Sequence, residues 1–421
     1  MKKIKKILAI FGPGFITGAS DDDPSGIATY SQTGAQFGYT QLWTSIFSFP
    51  FMAVVQEMCG RIGLVTGKGL SGVIRNHYSK PVLYFSVSLL LIANTVNIGA
   101  NLGAMASSAQ LLLGVPFIVL LLVMTISILV LEIFVSYKVY SKFLKYLTFS
   151  LFAYIITAFI IKQDWIKALQ STFVPTISFS KDYLLNIVAI FGTTISPYLF
   201  FWQSDEEVEE EVEHHKLQSM GRGVPKVTSA DIKGLRIDTF IGMFFSNMVM
   251  FFIILVAAGQ LYPRGITSIE TAADAAQLLK PLAGEFAFLL FAAGIIGTGL
   301  LAVPVLAGSA SYAISEAFGW KEGLYRKFNQ AHGFYGVIII ATLVGMLINL
   351  TPIEPFKMLY YTAVLNGVVA PPLLFLIMLI SSNKGIMGKY TNSKLSNILG
   401  WSITVFMSLA SLFLLSTLIT N

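Results

Sequence analysis

The sequence predicts an all-α polytopic membrane protein with eleven transmembrane helices, on three observations. It is apolar throughout: of 421 residues, 55% are hydrophobic and 12% charged, with a mean hydropathy of +0.72. Charge-free stretches recur at 24–56, 81–131, 146–161, 183–204, 239–263, 286–315, 328–353, 358–383 and 395–421. Lysine and arginine collect on alternate loops.

A helix needs about 20 residues to cross the hydrocarbon. The stretches 24–56 and 81–131 can each hold more than one crossing. Dividing the second near Gly114-Val115-Pro116, and adding the segment before residue 24, places the spans. They fall near 8–34, 41–64, 82–109, 115–135, 143–162, 183–204, 237–261, 286–315, 333–350, 356–381 and 396–419.

With the N-terminus in the cytoplasm, the inside set begins with Lys2, Lys3, Lys5, Lys6, Arg61, Lys68, Arg75 and Lys80. It continues with Lys138, Lys142, Lys145, Lys216, Arg222, Lys226, Lys233 and Arg236. Lys321, Arg326, Lys327, Lys384, Lys389 and Lys394 complete it, 22 of the 28 cations. Lys162, Lys167, Lys181, Arg264, Lys280 and Lys357 remain outside. This asymmetry orients a multi-pass cell-membrane protein with its N-terminus in and its C-terminus out. The net charge of +6 is therefore a topology signal, and nucleic acid is not an expected partner. The apolar run after Lys6 is cut by Gly12-Pro13-Gly14 and lacks a small-residue cleavage site, so it reads as an uncleaved first helix. Cys59 is the only cysteine, which excludes an intramolecular disulfide.

Charge interrupts the first span at Asp21-Asp22-Asp23-Pro24-Ser25-Gly26. Carboxylates at membrane depth are costly and persist mainly where they face a cavity and bind something. Proline and glycine at the same point free backbone carbonyls, which a bilayer tolerates where backbone lines a site. The segment reads as a broken helix that holds a cation. Asp23, next to Pro24, is the leading ligand; it also suits the N-cap of the second half-helix, and the two roles are compatible. Three consecutive side chains on one turn point in different directions, so all three cannot converge on one ion. Asp22 is a pathway candidate.

A second interruption, Gly192-Thr193-Thr194-Ile195-Ser196-Pro197, falls in the sixth span. Proline there makes either a kink or a break. Pro24 in the first span and Pro197 in the sixth fit two inverted five-helix repeats, 8–162 and 183–381, with 396–419 appended. Such repeats set their discontinuous helices face to face at the midplane. The whole chain then forms one transporter domain.

Connections are short apart from Asp205–Lys233. This excursion opens with Asp205, Glu206, Glu207, Glu209, Glu210, Glu211 and Glu213. It reads as a solvated extension of the sixth helix, or as a cation-attracting funnel or sensor with His214 and His215. Ser268–Leu279 has the pattern of a short amphipathic surface helix.

The motif Gly12-Pro13-Gly14-Phe15, seven residues, then Asp23-Pro24-Ser25-Gly26 resembles the first helix of NRAMP divalent-metal transporters. Their pattern is Gly-Pro-Gly-Phe, seven residues, then Asp-Pro-Gly-Asn. Arg61-Ile62-Gly63-Leu64-Val65-Thr66-Gly67-Lys68-Gly69-Leu70 resembles the family's segment after its second helix, and Leu306-Ala307-Gly308 is a weaker echo. The resemblance covers the whole layout and is specific mainly over residues 11–70. It implies a LeuT-type fold with helices 1 and 6 broken; the expected unit is a monomer in the lipid bilayer. In that fold Asn97, Asn101 and Asn366 flank the site, holding either metal-bound waters or helix–helix hydrogen bonds. Asn366-Gly367 with Pro371-Pro372 marks a tenth helix that is either mobile or only shaped by its prolines. Gly294, Gly297, Gly299 and Pro304 read as close packing in the eighth.

Departures from the family pattern point to the ion. The family's asparagine ligand falls on Gly26, which has no side chain. Its Met-Pro-His falls on Ser196-Pro197-Tyr198, so a hydroxyl replaces the thioether that selects soft metals. The family's carbonyl ligand maps to Thr193. What remains around a roomier cavity is one carboxylate with hydroxyls and carbonyls, which suits Mg2+ keeping part of its water, and admits Mn2+. The resemblance is thus strongest to the NRAMP-related magnesium transporter branch. The alternative is that Ser196 is neutral drift in an ordinary manganese carrier.

The family's third helix carries an Asp and a Glu that relay protons. Aligned on Leu111-Leu112-Leu113-Gly114, those positions become Ile98 and Asn101. No acid, lysine, arginine or histidine occurs between 81 and 131, and 333–350 lacks the arginine of proton-coupled members. The expectation is import of Mg2+ and Mn2+ by alternating access without tight proton coupling, the metal being cargo and no cofactor required. The alternative is a proton-coupled Mn2+/Fe2+ transporter. An intramembrane prenyltransferase would need a second acidic cluster, whereas Glu57, Glu132 and Asp238 lie singly along the sequence. A sodium-coupled amino-acid carrier would set its substrate's carboxylate against three aspartates.

Overall fold

The computed structural model describes residues 12–135 and 151–419. Among them every regular element is helical. The first span is two half-helices, α1 (Pro13–Asp21) and α2 (Pro24–Phe37). Proline disfavours the helical region for the residue before it. Asp23 accordingly adopts φ −70°, ψ 169°, and Pro24 opens α2, where its missing N–H has no cost. The elements α3 (Trp43–Thr66), α4 (Leu70–His77), α5 (Lys80–Leu113), α6 (Phe117–Phe134), α7 (Phe152–Ile160) and α8 (Trp165–Phe173) follow. The same chemistry then recurs between α9 (Lys181–Thr194) and α10 (Pro197–Glu213): Ser196 is extended at φ −81°, ψ 133°, and Pro197 restarts the helix. Next come α11 (Ser229–Gln260), α12 (Ala272–Ala276), α13 (Ala287–Phe318), α14 (His332–Ile348), α15 (Pro355–Ser382) and α16 (Lys394–Ile419).

Seven helical stretches among the described residues are long and apolar enough to cross a membrane. The other four expected spans fall on α1–α2, α3, α7 and α14, which are helical but shorter or less apolar. The fifth expected span, 143–162, is described from residue 151, and Lys2, Lys3, Lys5, Lys6, Lys138, Lys142 and Lys145 lie outside the described residues. Among the described residues two helices of eight residues or more have no counterpart in the sequence reading. One is α4; the other is α8, whose N-terminus Asp164 caps by accepting from the Lys167 N–H at 3.0 Å. Both are too short to leave a hydropathy signal. The Ser268–Leu279 helix is shorter than expected, with Ala272, Ala275, Ala276, Leu278 and Leu279 buried.

Lipid-facing character is concentrated on α6, where Ile118, Leu122, Val123, Ile126 and Val130 stand exposed. The broken helices lie at the opposite extreme. Both halves of the first pack on α11 with almost no side chain between: a Cβ on Gly18 would stand 2.4 Å from the Gly242 carbonyl carbon. The half-helix α9 meets α15 the same way. A Cβ on Gly192 would fall 2.0 Å from the Ala363 oxygen, and one on Gly367 2.3 Å from the Val188 oxygen. Small residues permit such backbone approach in membrane bundles. Gly367 is therefore a packing contact on α15, which runs through Pro371 and Pro372 without a break. Gly299 packs closely on Met105.

The acidic run after residue 204 is not solvated as expected. Asp205, Glu206, Glu207, Glu209 and Glu211 are buried, because α10 docks against α3 and α13 instead of projecting into water. Only its end, Glu213-His214-His215, is exposed.

Candidate metal site

The two chain breaks lie against one another. The Ser25 and Thr193 hydroxyl oxygens are 3.3 Å apart. The Tyr198 hydroxyl donates to the Ser20 carbonyl at 3.0 Å, satisfying an acceptor near the end of α1. Between the breaks sits Gly26. A Cβ added there would stand 3.3 Å from the Asp21 carbonyl oxygen and 3.6 Å from Thr193 Oγ1. The missing side chain is thus the space that separates the two interrupted helices.

Asp23 is 1% exposed and faces this junction. Its Oδ1 accepts from Ser25 Oγ at 2.5 Å and from the Gly26 N–H at 2.9 Å. Its Oδ2 accepts from Asn101 Nδ2 at 3.2 Å. The cap role is therefore present. An ionised carboxylate offers about four lone-pair sites, so these three donors leave room for a ligand bond. Asp21 and Asp22 turn elsewhere: Ser246 Oγ on α11 donates to Asp21 Oδ2 at 2.6 Å and lies 3.3 Å from Asp22 Oδ1. Both are buried.

The polar groups of α5 extend the junction. Asn101 Nδ2 also donates to the carbonyl and side-chain oxygens of Asn97, each at 2.9 Å. Thr362 on α15 donates to Asn97 Oδ1 at 3.3 Å. Among the described residues Asn101 Oδ1, Asn97 Nδ2 and Asn366 Nδ2 are buried without a partner, and buried amides of this kind ordinarily find one in water or a ligand. Ser196 is buried at the second break with its hydroxyl folded back, donating to the carbonyls of Gly192 at 2.8 Å and Thr193 at 2.7 Å. Its oxygen keeps acceptor capacity, while the Thr193 carbonyl already holds one donor. The structure thus brings Asp23, Gly26 and Thr193 into one junction, attaches Asn101 and Asn97 to it, and sets Ser196 against Thr193.

Several residues at or near this junction carry no sequence signal. Ser246 and Thr362 are lone hydroxyls in apolar spans. Met105, one turn beyond Asn101, sets its thioether against Gly299, whose added Cβ would also stand 3.6 Å from Pro24 Cγ. Asp238 reads as a single acid near a helix start, yet it holds the N-terminus of α1, accepting from the N–H groups of Gly12 at 2.9 Å, Gly14 at 2.7 Å and Phe15 at 3.3 Å. Glu57 pairs with Arg61 at 3.0 Å and with Arg236 at 2.8 Å. The Arg61–Leu70 motif seats on acceptors from two other helices: the Gly69 N–H donates to Glu316 at 2.7 Å and the Leu70 N–H to Ser204 Oγ at 3.0 Å.

Among the described residues no three His, Cys, Asp or Glu side chains gather as a ready-made metal cage. A dication at the junction meets one carboxylate, with hydroxyl and carbonyl oxygens around it. Such a donor set leaves much of the coordination sphere to water, as Mg2+ prefers, and Mn2+ accepts the same oxygens.

A family model described as natural resistance-associated macrophage protein-like matches residues 14–417. The chain is 26% identical over 428 residues to the divalent metal cation transporter MntH of Bacillus subtilis, covering 99% of this chain and 93% of the relative. It is 25% identical over 427 residues to MntH of Erwinia tasmaniensis, covering 100% and 96%. In fold it is similar to a manganese transporter of Eremococcus coleocola solved with an aromatic bis-isothiourea substituted compound. That match has a TM-score of 0.75 at 16% identity, over 98% of this chain and 87% of that one. Mhp1, a nucleobase-cation-symport-1 family transporter, matches with a TM-score of 0.57 at 12% identity, over 97% and 93%.

Proposed function

The chain belongs to the Nramp family and has its all-helical, LeuT-type fold, and from that premise we propose that it imports divalent cations across the cell membrane by alternating access. Partly hydrated Mg2+ is the preferred ion and Mn2+ the second. The observation that carries this reading is the buried carboxylate of Asp23, set where two interrupted helices meet. The relatives are named as transporters of divalent metal, and none of those named above is an enzyme.

Asp23 supplies the charge, and the hydroxyls of Thr193 and Ser196 with backbone around Gly26 supply neutral oxygen. Asn97 and Asn101 hold metal-bound water, Asn366 offers a further amide, and Asp22 and Tyr198 line the path. Pro24 and Pro197 keep the carbonyls at each break out of helical hydrogen bonds. Tight proton coupling is not part of the reading, because the α5 group touching Asp23 is the amide of Asn101, which neither takes up nor releases a proton. None is needed. A dication entering down about 100 mV gains about 4.6 kcal/mol, enough to hold a gradient on the order of a thousandfold. The protein works as a monomer, with its N-terminus inside and its C-terminus outside.

A second reading, proton-coupled Mn2+ or Fe2+ transport, is favoured by the manganese transporter among the similar structures. Proteoliposomes containing indicators for Mg2+, Mn2+ and pH separate the two. Mg2+ entry that follows an imposed inside-negative potential, leaves luminal pH unchanged and vanishes in Asp23→Ala is the expected result. Luminal acidification in step with metal entry assigns the second reading.

A further inference from the structure

The buried acidic run on α10 has no role in the junction at Asp23, and one of its members is unusual. Asp205 is fully buried, and neither carboxylate oxygen has a hydrogen-bond partner among the described residues. A carboxylate stripped of water needs a partner for its lone pairs and its charge. Two groups locate where it points. A Cβ on Gly69 would stand 1.8 Å from Asp205 Oδ1 and 2.7 Å from Glu316 Oε2. The two carboxylates therefore converge on the turn between α3 and α4, no farther apart than those offsets laid end to end, about 4.5 Å. Glu316 is held there by the N–H groups of Gly69 at 2.7 Å and Gly72 at 2.6 Å.

Glu322 is also buried, and its Oε2 has no hydrogen-bond partner among the described residues. Glu322, Glu206 and Glu209 all lie within electrostatic reach of Asp205. Arg75 donates to the Glu316 carbonyl at 3.1 Å and Arg326 to the Glu322 carbonyl at 2.9 Å. A cavity of about 560 Å³ reaches Glu316 and Glu322, with Lys68, Arg75, Arg222, Lys321 and Arg326 also on its wall. Its basic residues belong to the set that sequence asymmetry assigns to the cytoplasm.

We propose that Asp205 and Glu316, with Glu322 beside them, form a second divalent-cation site at the cytoplasmic end of α10 and α13, separate from Asp23. Two buried carboxylates that converge within about 4.5 Å carry like charge, which one dication neutralises. The ion takes two carboxylates directly and keeps water elsewhere, as Mg2+ does, in accord with the lack of a three-sided cage. Bound there, it ties the second half of the broken sixth helix to α13 and to the α3–α4 turn, and so reads the cytoplasmic concentration of the ion.

Titration of the purified full chain with Mn2+, following free ion by electron paramagnetic resonance, tests this. The expected result is two Mn2+ per chain, both displaced by Mg2+. Asp205→Asn loses one and Asp23→Ala loses the other; Asp205→Glu keeps two. Glu322→Gln, which leaves the convergent pair intact, weakens one site at least tenfold and guards against a folding defect in Asp205→Asn. Mn2+ should raise the melting temperature of Asp23→Ala but less in Asp205→Asn than in the native chain. Unchanged stoichiometry and affinity in folded Asp205→Asn and Glu322→Gln would overturn the proposal. Two sites retained in Asp23→Ala with one lost in Asp205→Asn would uphold it while refuting the reading of the junction.

Discussion

Asn101 Nδ2 donates to Asp23 Oδ2 at 3.2 Å, joining the third expected span to the break in the first. A neutral donor stabilises the ionised carboxylate without competing for a proton. Removing it in Asn101→Leu leaves Asp23 short of a hydrogen bond to a charged group, a loss of about 1.5–3 kcal/mol. Mg2+ affinity should fall roughly ten- to a hundredfold, measured as the concentration giving half-maximal uptake in proteoliposomes.

Replacing the same amide by an acid tests coupling. Asn101→Asp places a second carboxylate against Asp23, and like charges at this distance force one to hold a proton. Metal uptake should then depend on pH between the two proton-binding steps, whereas uptake by the native chain is flat. A pH profile of initial rates for both proteins checks this.

Ser196 folds its hydroxyl onto the carbonyls of Gly192 and Thr193. In Ser196→Met the hydroxyl is replaced by a thioether and both carbonyls lose a donor. Selectivity should move toward Mn2+ and Cd2+ over Mg2+, because sulfur favours softer ions. Competition of each ion against Mg2+ flux reads the shift; unchanged selectivity would show that residue 196 does not face the ion.

Asp238 binds three N–H groups at the start of α1, all of them orphan donors of a helix N-terminus. Asp238→Ala should cost about 1–2 kcal/mol, the usual effect of losing a cap. Lower thermal stability with faster labelling of a cysteine placed in α1 is the expected outcome.

Gly192 meets the Ala363 carbonyl with no space for a side chain. Gly192→Val should separate α9 from α15 and destabilise the protein by about 1–3 kcal/mol, the range for overpacking. The melting temperature in detergent reports it.

The parts of this fold legible in the sequence are those set by local chemistry. Pro24 and Pro197 bias Asp23 and Ser196 toward extended backbone, and their matching places in the first and sixth spans mark both as breaks. Long apolar runs such as Lys80–Leu113 and Pro355–Ser382 announce themselves by length. Partners distant in sequence do not. Asp238 meets Gly12 across 226 positions, and nothing near either residue marks the pairing. The acidic run from Asp205 reads as a water-exposed helix because charge normally seeks water; docking of α10 between α3 and α13 overrides that preference. The contact of Gly367 with the Val188 backbone is of the same kind as the Asp238 pairing, joining two spans far apart in sequence with no local mark.

Anomalous scattering from Mn2+ in crystals of the protein tests the central claim most directly. A peak within about 2.0–2.3 Å of an Asp23 carboxylate oxygen, the distance range for a hard dication bound by oxygen, between the breaks at Gly26 and Thr193, is the predicted result. Occupied manganese elsewhere, with none at Asp23, would contradict it.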